Sequence, residues 1–311
     1  MTTAAALAAL DQGMTSRWAF RNRLINGNFG IWQRATIFAS PASASYTADR
    51  WKIHYDGTGA FTVSRQAAES LNTPGYALKW DQTGAVVGGS YRTLQQPIES
   101  VKTLAGKRMA ISFKAKATGF TSLPVYISQV FGTGGAPSAT VDTLVDTVTL
   151  SGTLEEHKIY VDVPTIAGKT LGSNGDDYLA VSFNLPTSGT FDVTLEEVQV
   201  EEGVVTPFEV RPPEVELSLC QRYFQHVFTG WSGEAISGNL YRGFATTPVC
   251  MRKAPTCVSV ADGPVSGFPA GSAGDITAWS AGTATYIQAE RTASGTANAQ
   301  FASLYAMSAD F

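Results

Sequence analysis

The sequence predicts an all-β protein: an antiparallel jelly roll or β-sandwich, then a short helix and a second small β domain, with a helical arm at the N-terminus. Three observations lead there. Between positions 24 and 200, short apolar runs recur with turn residues between them, and apolar residues at every second position mark strands with one buried face. No helical pattern separates these runs, so neighbouring strands are expected to pair antiparallel rather than through crossover helices. Finally, a proline-interrupted stretch at 206–213 ends the pattern, and a second set of runs follows it.

Residues 1–23 are the expected arm. TTAAALAALDQGMTSRW has helix-forming alanines, Thr2 or Thr3 as a cap, and Leu7, Leu10, Met14 and Trp18 along one stripe. So thin a helix buries too little surface to stand alone, and it is expected to dock on another chain or on its own trimer mates. It has neither the basic start and apolar run of a signal peptide nor the roughly 20 apolar residues of a membrane span, so no membrane insertion is expected.

The jelly roll is expected over 24–213, with strands at 49–55, 60–66, 76–81, 90–98, 108–117, 125–131, 141–150, 157–163, 178–185 and 190–200. Asp56-Gly57, Pro74-Gly75, Gly88-Gly89, Gly134-Gly135, Asn174-Gly175 and Ser188-Gly189 supply turns between them. In the last strand Phe191, Val193 and Leu195 alternate with polar residues, and the apolar positions resume at Val198 and Val200 after Glu196-Glu197. That shift predicts a bulge. Thr206-Pro207-Phe208 and Arg211-Pro212-Pro213 cannot lie in a central strand, because proline donates no N–H to a ladder.

A third domain is expected over 214–311. Glu214 and Glu216 suit the positive first turn of a helix, and Leu217, Cys220, Phe224 and Val227 fall at spacings of three and four. Strands are then expected at 240–249, 257–260, 276–279, 284–291 and 300–307. A β module of about 85 residues is close to the size at which a lone core is marginal, so a homotrimer is expected.

The order VQVEEG, TPFE, ELSLCQRYF, with LINGNFGIWQRAT and YTADRWKI upstream, resembles bacteriophage tail-fibre, spike and head-fibre proteins that carry a jelly roll like a carbohydrate-binding module. The resemblance covers residues 24 to 260. It implies a virion structural protein, assembled in the bacterial host cytoplasm, that docks on another virion protein through its arm. Its β modules would serve host-surface attachment, with cell-surface polysaccharide as the ligand. It also implies a structural calcium site built from Asn26, Asn28, Glu197 and Glu201, although asparagine stands where such sites usually have an acidic residue near the first strand. The alternatives are a capsid or tail decoration protein without receptor binding, and a polysaccharide-degrading spike.

Composition narrows the classes further. The net charge is −4 and only 15% of residues are charged, which gives no basic surface for nucleic acid. Three cysteines cannot all pair within the chain, so a disulfide framework is not expected. His54, His157 and His226 lack metal-ligand spacing. Acid pairs stand at Glu155-Glu156, Asp176-Asp177, Glu196-Glu197 and Glu201-Glu202, but adjacent strand residues point to opposite faces and cannot flank one glycosidic bond. With no GxSxG, HExxH or phosphate loop, the chain is expected not to be an enzyme.

Aromatic and amide residues are the remaining candidates, because sugars lay C–H faces on rings and bond their hydroxyls to polar side chains. Tyr91 and Arg92 follow the VVGGSY turn, Tyr126 and Gln129 share a strand, and Trp231 lies in FTGWSGEAISG, read as a loop. These five are the expected glycan contacts. Trp32, Trp51 and Trp80 lie in strand patterns and are assigned to the core.

Overall fold

The alternation read between 37 and 202 is consumed by two antiparallel sheets that enclose one core. The computed structural model describes residues 20–70, 75–233, 240–253, 255–262, 275–277, 286–292 and 299–311, with backbone alone between 229 and 246 and between 259 and 305. Most of the expected arm, residues 1–19, lies outside the described residues. The chain divides into two compact units, Met1–Pro212 and Pro213–Phe311.

In the first unit a six-stranded sheet orders β1 (Ile37–Ala39), β3 (Thr62–Ala67), β4 (Tyr76–Val86), β11 (Gly189–Glu202), β6 (Arg108–Thr118) and β9 (Glu155–Asp162). A five-stranded sheet orders β2 (Lys52–Tyr55), β5 (Arg92–Glu99), β10 (Tyr178–Asn184), β7 (Ser122–Val130) and β8 (Val141–Thr149). The inward residues of both sheets form a single apolar cluster. Trp51 and Trp80 are fully buried, as their strand positions predict. Trp51 packs on Phe29 and Phe183 with centroids 5.0 and 6.4 Å away, while Trp80 stacks on Phe61 at 4.6 Å. Burying each such side chain contributes about 1.5–3 kcal/mol, more than a surface ion pair at about 0–1 kcal/mol, so the core sets the sandwich.

Strand β11 carries the predicted bulge. Glu197 has φ 49°, and the register against β6 shifts between Glu196 and Gln199. The pairing with β4 stops at Leu195. Beyond it residues 22–27 take over the exposed edge: Arg23 N donates to Val200 O at 2.8 Å, and Val198 N to Gly27 O at 2.9 Å. Asn22 closes the gap between them, its amide donating to Val198 O while its oxygen accepts Val200 N. The proline-rich linker then folds back over this seam. Glu209 accepts Arg21 N and Asn22 N, Arg211 donates to Leu24 O and Asn22 O, and Gln199 accepts Glu209 N at 2.7 Å. These bonds explain the TPFE segment: it seals the strand end that a proline cannot extend.

The second unit opens with α1 (Pro213–Gln221), with proline in the first turn, where its missing N–H costs nothing, and Glu214 and Glu216 near the positive end. The expected stripe does not hold to Val227. Tyr223 N returns to Cys220 O at 2.9 Å, and β12 (Phe224–Gly233) begins immediately. Gln225 and Val227 are buried while His226 and Phe228 are exposed, a two-residue period that three-and-four spacing had masked. Among the described residues the unit continues in two three-stranded sheets: β12, β17 (Ala299–Ser308) and β14 (Thr256–Asp262) in one, and β13 (Leu240–Thr246), β16 (Tyr286–Thr292) and β15 (Asp275–Thr277) in the other.

The seam makes a test of the fold. A Cβ on Gly27 would lie 2.1 Å from the Val198 carbonyl oxygen, whereas one on Gly30 meets only the end of the Asn28 side chain at 3.3 Å. Gly27→Ala is expected to destabilise the first unit by about 1–3 kcal/mol, and Gly30→Ala by no more than about 0.5 kcal/mol. Urea unfolding followed by tryptophan fluorescence measures both; equal losses would count against the seam.

Candidate binding groove

Where burial alternates along the five-stranded sheet, on β5 and β7, the residues between the buried ones belong to its outer face. On β5, Arg92, Leu94 and Gln96 are buried while Thr93 and Gln95 are partly exposed, and on β7, Gln129 is buried while Ser128 and Val130 are not. The central strand β10 places small residues in the same rows: Ala180 stands between Pro97 and Ser128, and Ser182 between Gln95 and Tyr126. Short side chains at the centre and longer ones to either side leave a groove of about 380 Å³. It is lined by His54, Tyr91, Thr93, Gln95, Ser128, Val130, Thr140, Asp142 and Tyr178.

Carboxylates fix the loops at its ends. Asp56 accepts Ser90 N at 2.7 Å, Ser90 Oγ at 2.5 Å and Tyr91 N at 2.9 Å. These donors, the Ser90 hydroxyl first, hold its carboxyl below the usual aspartate range. The result is a fixed turn that presents the Tyr91 ring, 46% exposed. Asp176 accepts Thr133 N and Oγ1 at 2.7 and 2.5 Å, and Asp177 accepts Val101 N at 2.8 Å. The SNGDD turn is therefore a brace rather than a solvated tip.

Two titratable groups in the groove are displaced from their ordinary values. Burial, helped by the neighbouring Lys52 charge, lowers His54 from 6.5 to about 4, so the ring is neutral at physiological pH. Burial, with Asp142 and Asp176 nearby, pushes the Tyr178 phenol up. The outer face of the other sheet is chemically different. Lys79 pairs with Asp81 and Asp192, Lys114 with Glu197, Lys116 with Glu69, and Lys158 with Glu156.

Of the residues expected at a sugar site, the structure brings Tyr91 to the groove and leaves Tyr126 half-buried on the same outer face, in the row of Gln95 but outside the groove lining. Two are corrected. Arg92 is 1% exposed and turns beneath the sheet, its guanidinium 5.1, 5.3 and 5.6 Å from the ring centres of Tyr55, Phe61 and Trp80 and bonded to Gln82 Oε1 at 2.7 Å. Gln129, also 1% exposed, donates inward to Pro164 O at 2.9 Å. Both are one residue out of phase with the groove, and a single step along a strand reverses the face. Trp231 belongs to β12, opposite Phe301, rather than to a loop; its side chain lies outside the described residues. Sequence reasoning missed His54, Thr93, Gln95, Ser128, Asp142 and Tyr178, although Tyr91, Thr93 and Gln95 already alternate beside Arg92.

Each of the four residues expected to bind calcium has hydrogen-bond or ion-pair partners within the protein. Asn26 spends its amide on Ile31 O and Asp49 O and its oxygen on Ile31 N, and the Asn28 oxygen accepts Gly30 N. Glu201 accepts Thr206 N, Thr206 Oγ1 and Gln199 Nε2, and Glu197 pairs with Lys114 at 2.7 Å. Among the described residues no group of three or more His, Cys, Asp or Glu side chains is placed to hold an ion. At the bulge Glu196 and Glu197 do not part to opposite faces as expected. Glu196 accepts Glu69 N and Ser70 N, and the Lys114 amine that pairs with Glu197 also donates to Ser70 Oγ.

No protein-family model and no curated protein matches the chain. Among solved structures, the chain is similar to the enzymatically active domain of tailspike protein 4 of bacteriophage CBA120, with 16% identity and a TM-score of 0.37 over 59% of this chain and 22% of that one. It is also similar to the family 11 carbohydrate-binding module of a Clostridium thermocellum cellulosomal cellulase, with 9% identity and a TM-score of 0.34 over 56% and 99%. A xylan-binding domain from Paenibacillus barcinonensis gives 12% identity and a TM-score of 0.34 over 60% and 96%. The chain thus spans about a fifth of the tailspike domain and nearly all of the two modules.

The His54 displacement gives a signed pH dependence. The unfolded chain takes up a proton as pH falls below 6.5, whereas the folded ring resists until about 4, so folding stability drops across that window and levels off below it. His157 is lowered by burial and acts in the same direction. His54→Gln is expected to lose less stability than the wild type between pH 6.5 and 4.5, with no pH-dependent difference above pH 7. Urea midpoints measured at half-unit steps of pH check this.

Proposed function

We propose that the first unit is a glycan-recognition module and that the chain is a bacteriophage virion protein, of the tail-fibre, spike or head-fibre kind, that presents this module to a host surface. The observation that carries the binding reading is the contrast between the two outer faces. One is laced with ion pairs; the other holds a groove of hydroxyl and amide groups flanked by the Tyr91 and Tyr178 rings. A saccharide needs such a mixture, rings for its C–H faces and uncharged donors and acceptors for its hydroxyls. Strands spaced about 4.8 Å apart give a five-stranded sheet a width of roughly 19 Å, enough for several sugar units lying across it. The virion reading is supported by the resemblance of LINGNFGIWQRAT, VQVEEG and TPFE to phage fibre proteins.

Recognition without cleavage is the chemistry proposed here. The Asp56, Asp176 and Asp177 carboxylates are occupied in bracing loops, which leaves the groove without the paired acid and base that glycoside hydrolysis uses. Single contacts of this kind give affinities near the millimolar end, about 4 kcal/mol, and a homotrimer joined to another virion protein by its N-terminal residues would raise them a hundredfold or more by avidity.

Labelled full-length chain is expected to bind bacterial cells and their extracted polysaccharide. Tyr91→Ala should weaken that binding between about twofold and tenfold, as loss of one ring contact does, with the melting temperature unchanged. Light scattering should return about three times 33.0 kDa, and antibody labelling should locate the chain on purified particles. A protein that ignores cells and polysaccharide alike would be left with an architectural role in the particle.

A further inference from the structure

Among the side chains that line the groove, Asp142 is the one carboxylate, and there is no lysine or arginine. Lys52, paired with Gln95 on the neighbouring strand, and Arg92 are not among the lining residues. The Lys52 amine lies 5.6 Å over the Tyr46 ring, and Arg92 is sequestered beneath the sheet among aromatic rings. His54 could have supplied a positive charge, but burial and Lys52 keep it neutral. Asp142 stands directly across from Ser128 on the outer row, and its field, with that of Asp176, reaches Tyr178. An acidic sugar lying here would lose water from its carboxylate, meet a like charge and find no lysine or arginine among the lining residues.

We infer that the groove admits neutral polysaccharides and rejects acidic ones, with Asp142 as the residue that sets this preference. The inference rests on the reading of the groove as a glycan site and adds to it the charge class of the ligand. Two unit charges a few ångström apart in a solvated site repel enough to change affinity by about fivefold, more where water is excluded.

Affinity electrophoresis of the full-length chain tests it, in low-salt gels holding neutral glucan, galactan, mannan or xylan, or the same polymers after oxidation of part of their primary or vicinal hydroxyls to carboxylates. The neutral form of at least one polymer is expected to retard the protein at least about fivefold more strongly than its carboxylated form. Asp142→Asn should bring that ratio towards one. Asp146→Asn, which removes an equal charge from the same strand at a position outside the groove lining, should leave it unchanged. Carboxylated polymers that bind as well as neutral ones would overturn the charge preference while leaving the glycan reading in place. A ratio unmoved by Asp142→Asn would overturn the role of Asp142, and no retardation in any gel would overturn both readings.

Discussion

The bulge at Glu196 and Glu197 is the constraint from which the first unit is arranged. Before it, β11 is an ordinary central strand bonded to β4 on one side and β6 on the other. After it, the register has shifted and β4 has ended, so the N–H and C=O groups of Val198 and Val200 would be left on an open edge. A buried backbone group without a partner costs about 1–3 kcal/mol, and the chain satisfies these with residues 22–27, with Asn22 lying 176 positions before Val198 and 178 before Val200. Gly27 permits that approach, Asn22 completes the pairing, and Glu209 and Arg211 tie the segment down from the far side. The two ends of the unit are thereby held to one strand.

The bulge also anchors what lies beside it. The carboxylate of Glu196, 1% exposed, would be costly to bury without partners. It is stabilised by two backbone N–H donors from Glu69 and Ser70, with Lys114 bridging Ser70 and Glu197. The ion pairs that continue across this sheet are largely solvated and each contributes little to stability; their effect is to make that face polar and charged. The five-stranded sheet is built on the other side of the same core. Its outer rows carry serine, threonine, glutamine and alanine, with Ser182 Oγ donating to Gln95 Oε1 at 3.2 Å, and that separation of chemistry between two faces is what gives the groove its character.

Burial of a cation beneath the groove follows from the same architecture. Arg92 could not be satisfied on the outer face without charging it; inward, three aromatic rings and the Gln82 amide receive the guanidinium. Cation–π contacts are worth about 2 kcal/mol when desolvated. They offset part of the desolvation that lowers this group's pKa.

What the sequence by itself determined is local and periodic. Alternation located nearly all the strands of the first unit, the apolar shift after Glu196-Glu197 marked the bulge, and the prolines at 207, 212 and 213 marked the linker, because each is a property of a few adjacent residues. The sequence also placed Trp51 and Trp80 in the core through their phase in a strand. It failed where the answer depends on absolute phase or on partners distant in the chain. Arg92 and Gln129 are polar residues in the right strands on the wrong face, since a pattern with period two cannot say which set faces the core when both sets are mixed. Phe224 and Val227 fit a helical stripe until the Tyr223 turn ends the helix. Asn26 and Glu201 stand out in the sequence as calcium ligands, but the sequence does not show the partners that the fold gives them, Ile31 N on the Asn26 oxygen and Gln199 and Thr206 on the Glu201 carboxylate. The groove itself is written in no single segment: His54, Tyr91, Ser128, Asp142 and Tyr178 come from all five strands of one sheet or the turns beside them, and only the pairing of those strands sets their side chains around a shared space.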